Sequence, residues 1–152
     1  MANYGGKVSN SDDIIDSRDV IERITELSDL QSILEDAKNE LESADTDEER
    51  DEAQEAVDES EMDFGEDEDE ELAALLALQD EASGYSNGDW PHGATLVRDS
   101  YFTEYAEDLV KDIGDLPRNI PSYLVIDWEA TAENIKQDYT KVDFDGEAYW
   151  IR

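Results

Sequence analysis

Cysteine is absent from this 152-residue chain, and histidine occurs once, at His92. The first absence excludes disulfides and thiolate metal sites. It also removes cysteine–histidine catalysis, and the single histidine limits serine–histidine pairings to one residue. A serine triad would have to use His92, which stands in the loop-like word "WPHG" with no nucleophile elbow nearby. Neither a phosphate-binding P-loop nor a dinucleotide fingerprint occurs. Positive charge is scarce: 11 Lys and Arg face 44 Asp and Glu, for a formal net charge of −33. A field of that sign repels nucleic acids and anionic membranes and favours a basic partner. Long apolar runs are also missing. The longest, "LAALLAL" at residues 72–78, is far too short to span a membrane. The opening "MANYGGKVSNSDD" has no apolar stretch of the signal-peptide kind.

Carboxylates alone could hold Ca²⁺ or Mg²⁺. The word "DFDG" at residues 143–146 fails the register of a calcium loop, however. With Gly146 as the loop glycine, Lys141 would be the first ligand and Arg152 the last. No metal, no cofactor and no catalytic residue is expected, and the chain does not read as an enzyme.

What is present is unevenly spread. Residues 35–71 hold 21 acids against Lys38 and Arg50. The expected fold class is α+β: an elongated, acidic, coiled-coil-like helical arm, then a small domain of helices and a β-hairpin. Residues 1–13 read as a mobile N-terminus and 14–60 as the helical hairpin or coiled-coil arm. Residues 61–84 read as an acidic linker and helix, and 85–152 as the α+β domain. Asp16 or Ser17 caps the first helix. Val20, Ile24, Leu27, Leu30, Leu34, Ala37, Leu41 and Ala44 follow at spacings of three and four, a coiled-coil seam that could pair within the chain or in a homodimer. Thr46 and Glu49 match a capping box for a second helix with a thin stripe of Ala53, Ala56 and Val57. Repulsion within residues 61–71 predicts an open segment. A third helix, near 68–83, would bury Leu72, Leu75, Leu76 and Gln79 and end at Gly84. Residues 84–93 read as a loop. Asp99 or Ser100 would cap a helix that buries Phe102, Tyr105, Ala106, Leu109 and Ile113. "YLVI" at residues 123–126 reads as a short strand or extended entry. Asp127 would cap a helix burying Trp128, Ala132 and Ile135. The pair Asp145-Gly146 signals a type I′ hairpin with Val142 and Phe144 on one face.

The acids are spaced as a phosphate array would be. Duplex DNA carries one charge per about 1.7 Å of axis, and two base-pair steps on one strand span about 6.8 Å. On a helix, Glu104, Asp108 and Asp112 recur about every 6 Å. Candidate phosphate-mimicking acids are Glu48, Glu49, Asp51, Glu52, Glu55, Asp58 and Glu59 in the arm. In the C-terminal domain they are Asp99, Glu104, Glu107, Asp108, Asp112, Asp115 and Glu129. The bland alternative is that these are solvated helix faces.

The words "VRDSYFTEYAEDLVKDIGDL" and "YLVIDWEATAENIKQDYTKVDFDGEAYWIR" resemble the C-terminal part of the ArdA-type antirestriction proteins. The resemblance covers about residues 94–152, and "IDWEA" at 126–130 is its most specific word. It implies a phage or mobile-element DNA mimic, often dimeric, acting in the host cytoplasm. The implied partner is a type I restriction–modification enzyme, whose DNA groove it would occupy. It also implies that Asp127 is a cap, Trp128 a core aromatic and Glu129 a surface acid. Residues 1–83 depart from the family pattern, so the target could instead be a CRISPR effector. A reading of another class is an acidic adaptor or chaperone for basic nucleic-acid-binding proteins.

Overall fold

A computed structural model describes residues 8–114, 116 and 119–152 of the chain. Its frame is a four-stranded antiparallel sheet in the order β1-β2-β4-β3. The strands are β1 (Ile14–Asp16), β2 (Thr95–Arg98), β3 (Thr140–Phe144) and β4 (Glu147–Ile151). Three long helices, α1 (Ser17–Glu42), α2 (Asp47–Asp63) and α3 (Glu66–Ala82), come between β1 and β2. A short α4 (Trp90–Gly93) precedes β2, and α5 (Phe102–Asp112) and α6 (Trp128–Lys136) follow it. The α+β class therefore holds.

Both faces of the sheet are covered, because side chains alternate along each strand. Ile15, Leu96, Val142, Phe144, Tyr149 and Ile151 point into one core with Val20 and Leu27 of α1 and Leu72, Leu75 and Leu78 of α3. Val97 and Trp150 face the other way, onto Phe102 and Ala106 of α5 and Ala132 of α6. The result is a three-layer arrangement, helices over sheet over helices.

This changes the expected plan. The acidic helices do not stand apart from a C-terminal domain: α1 and α3 share one continuous core with the sheet across the division drawn at residues 84 and 85. The α1 seam is spent within the chain, with Val20, Leu27, Leu34 and Ala37 buried. Residues 8–13, expected to be mobile, are fastened: Val8 is buried, Asn10 Nδ2 donates to the Asp145 carbonyl at 3.1 Å, and the Tyr149 hydroxyl donates to the Asp12 carbonyl at 2.5 Å. Residues 1–7 lie outside the described part.

The second helix is capped as expected, with Thr46 Oγ1 accepting from Glu49 N at 3.1 Å. The cleft lined by Glu40, Glu49 and Glu52 and the cleft lined by Leu34, Lys38, Glu61 and Phe64 show α2 running back antiparallel along α1. The open linker expected at 61–71 is helical instead. Only Phe64 and Gly65 interrupt it. Buried Phe64 anchors the break, and Glu68 closes the next N-terminus by accepting from Gly65 N at 3.1 Å. The first turn of α3 is wholly acidic, Glu66 to Asp69, which suits the positive end of the helix dipole.

The expected burial of Leu76 and Ile113 fails for geometric reasons. Leu76 is exposed and Leu78 buried, because Leu72, Leu75, Leu78 and Ala82 fall on one side at 100° per residue. Ile113 is 60% exposed, since it lies past the last turn of α5, where Gly114 takes φ +75°. Of the two forms expected for "YLVI", the strand is absent and the non-helical entry to α6 is present, with Tyr123, Leu124 and Val125 exposed. Two strands were not anticipated: β1 and β2 are three and four residues long, too short for an alternation to register. The closing hairpin matches in full. Asp145 and Gly146 both take positive φ, 50° and 87°, and Val142 pairs with Tyr149, whose ring lies 6.0 Å from that of Phe144.

Candidate interaction surface

The seven acids predicted in the arm all lie on α2, and all are exposed. The helix buries only Ala53, Val57 and Ser60, so every acid between them is turned outward. Its single base, Arg50, pairs with Asp47 of the same turn at 3.6 Å. No basic residue occupies its last turn.

The acids predicted in the C-terminal domain divide. Glu104, Asp108 and Asp112 form an exposed row along α5. Glu107 is beside that row but ion-paired with Lys111 at 3.1 Å. Glu129 is exposed in the first turn of α6, and Asp115 lies outside the described residues.

Asp99 has a structural task, and not the expected one. It does not cap α5; that position falls to Tyr101, which makes no side-chain cap bond. Its Oδ1 instead accepts from Trp150 Nε1 at 2.8 Å and from Lys136 Nζ at 3.1 Å. The Trp150 hydrogen bond, aided by Lys136, holds its carboxyl below the ordinary value.

Asp127 does cap α6, accepting from Ala130 N at 3.1 Å. Trp128 is not a core aromatic. It is half-buried on the first turn of α6, and Lys111 Nζ sits 5.9 Å from its ring centroid.

A second acidic cluster adjoins the α5 row. Asp12, Asp13 and Asp19 line a shallow cavity of ≈ 310 Å³ with Ile14 and Tyr101. Partial burial and the carboxylates of Asp108, Glu104 and Asp13 hold the Tyr101 hydroxyl above its ordinary value. Burial, then the charge of Asp16, raises the Asp19 carboxyl. No sequence signal placed these acids beside α5, because that requires knowing that β1 pairs with β2 in register, Ile14 opposite Val97.

Six of the described basic residues are paired within the chain: Arg18, Arg23, Arg50, Arg98, Lys111 and Lys136. The outward field is thus carboxylate almost everywhere. Among the described residues, no group of three or more His, Asp or Glu is placed to hold a metal ion. Among them, too, no helix is long and apolar enough to cross a membrane. No protein-family model, curated protein or solved structure matches the chain.

Proposed function

We propose that this protein is an acidic DNA mimic that inhibits a DNA-binding host-defence enzyme by occupying its DNA groove. A type I restriction–modification enzyme is the first target to test. The observation that carries this reading is the combination of exposed acids on regular helices with six of the described cations held in internal pairs. Helix α2 alone holds ten acids and one base in 17 residues, about one net charge per 3 Å of axis. The acid row of α5 supplies a second array at nearly a two-base-pair spacing. The resemblance of residues 94–152 to antirestriction proteins supports the choice of target. A CRISPR effector is a second target under the same physics.

Such a mimic gains affinity as DNA does, by releasing counterions from itself and from the basic groove. Inhibition should therefore weaken steeply with salt and be relieved by excess DNA. The test is a purified type I enzyme assayed for both DNA cleavage and methylation in the presence of the protein. Inhibition of both, relieved by competing duplex, is expected. Loose capture of many basic proteins without DNA competition would instead establish an adaptor and remove the mimic reading.

A further inference from the structure

Helix α2 is fastened differently from its neighbours. Helices α1 and α3 are joined by large apolar side chains and by a two-pronged ion pair, Arg23 to Glu71. Helix α2 presents only Ala53 and Val57 as buried apolar groups, with Ala56 partly covered. Among the described residues, its side chains make no hydrogen bond or ion pair to α1 or α3: Arg50 and Gln54 both bond within α2 itself.

Like charges also line the seam. Glu40 of α1 shares a cleft with Glu49 and Glu52 of α2. Glu35 shares another with Glu61, and with Glu66 and Asp69 of α3, and Lys38 is the one cation lining it. Within α2, Asp47 and Asp51, Glu48 and Glu52, Asp51 and Glu55, and Glu55 and Glu59 are like-charged at i,i+4, which destabilises a helix. Glu61 and Asp63 add negative charge at the negative end of its dipole. With so little apolar burial and this repulsion, α2 depends on its packing against α1 for order.

We infer that α2 is a cation-gated segment. It unfolds from α1 at low ionic strength and docks as an ordered helix when cations screen the seam, whether these are salt or the basic face of a partner. Phe64, buried at its C-terminal end, is the fixed point about which it opens. The inference does not depend on DNA mimicry, since any cation suffices.

Amide hydrogen exchange of the full chain tests it, at about 10 mM and about 500 mM NaCl, where the screening length shrinks from about 30 Å to under 10 Å. With rates normalised to unstructured peptides, α2 amides should exchange at least about tenfold faster than those of α3 at low salt and slow by a similar factor at high salt. Spermine at low salt should reproduce the slowing. Neutralising the seam with Glu35→Gln, Glu40→Gln, Glu52→Gln and Glu61→Gln together should slow α2 exchange at low salt. Protection of α2 equal to that of α3 at low salt would overturn the inference. So would exchange that is fast at every salt concentration, or unchanged by the four substitutions.

Discussion

Arg23 holds Glu71 by two parallel bonds, Nε to Oε1 at 3.1 Å and Nη2 to Oε2 at 2.9 Å. The Arg23 and Glu71 side chains are only 19% and 11% exposed. This pair lets the acid-rich start of α3 lie against α1. Removing one partner leaves a largely buried charge unmatched, which costs several kcal/mol when burial is complete. Arg23 also reaches Glu26 at 3.1 Å, so part of its charge stays compensated. Glu71→Ala should therefore destabilise by about 2 kcal/mol, read as a lower urea midpoint with an unchanged slope. Glu70→Ala, an exposed neighbour, should change the midpoint by less than about 0.5 kcal/mol.

Asp99 links the entry to α5 with β4 and α6 through Trp150 and Lys136. Its carboxyl is lowered from 3.8 when folded. The folded chain thus releases the proton more readily than the unfolded chain does. The stabilisation is present above pH 3.8 and is lost as pH falls below it through the folded value. Because the side chain is half exposed, Asp99→Asn should cost no more than about 1 kcal/mol near neutral pH. Urea unfolding of both proteins from neutral to acid pH should show that difference closing below 3.8. A difference independent of pH would assign it to packing instead.

The elements that could be foreseen are those that declare themselves locally. Asp16, Thr46 and Asp127 cap helices because a short acceptor side chain reaches an amide two or three residues on. Asp145-Gly146 turns because both residues accept positive φ. The sheet order was not legible, since β1 meets β2 across some eighty intervening residues. The division into arm and domain misled for a related reason. Charge density tracks the solvent face of a helix and says nothing of what its other face covers, and Leu72, Leu75 and Leu78 cover the sheet. Of the candidate surface, the acids of α2 and the Glu104, Asp108 and Asp112 row could be read from spacing. The structural task of Asp99 could not, because Trp150 lies 51 residues away in sequence.

Two tyrosines give the fold an alkaline limit. Burial first, then the Tyr105 hydroxyl 3.3 Å away, raises Tyr139 from 10.0 to about 12. Burial also raises Tyr149 well above its ordinary value. In both cases the folded chain keeps a proton that the unfolded chain loses near 10.0. Stability is therefore full below that pH and falls as pH rises from 10.0 toward about 12. Ultraviolet titration should show Tyr139 and Tyr149, and to a smaller extent Tyr101, ionising above the ordinary value of 10.0. Tyr149→Phe removes the bond to the Asp12 carbonyl and should cost about 1–2 kcal/mol. It should also expose residues 8–13 to faster amide exchange. If that exchange is unchanged, the N-terminal segment is held by other means.

The acid surface makes its own prediction about additivity. Exposed charges are individually weak, each worth about 0.2–1 kcal/mol in a pair. If the protein occupies a DNA groove, Glu104→Gln, Asp108→Asn or Asp112→Asn alone should weaken inhibition by less than about fivefold. The three together with Glu48, Asp51, Glu52, Glu55 and Asp58, all neutralised, should weaken it by more than about a hundredfold and flatten its salt dependence. Circular dichroism should confirm that helix content is retained, because none of the eight acids makes a bond to another element. Loss of inhibition from any one of these acids would mean a specific contact, not a distributed field. Full activity of the eightfold variant would move the binding surface elsewhere, with Asp12, Asp13 and Asp19 beside Tyr101 the next acids to neutralise.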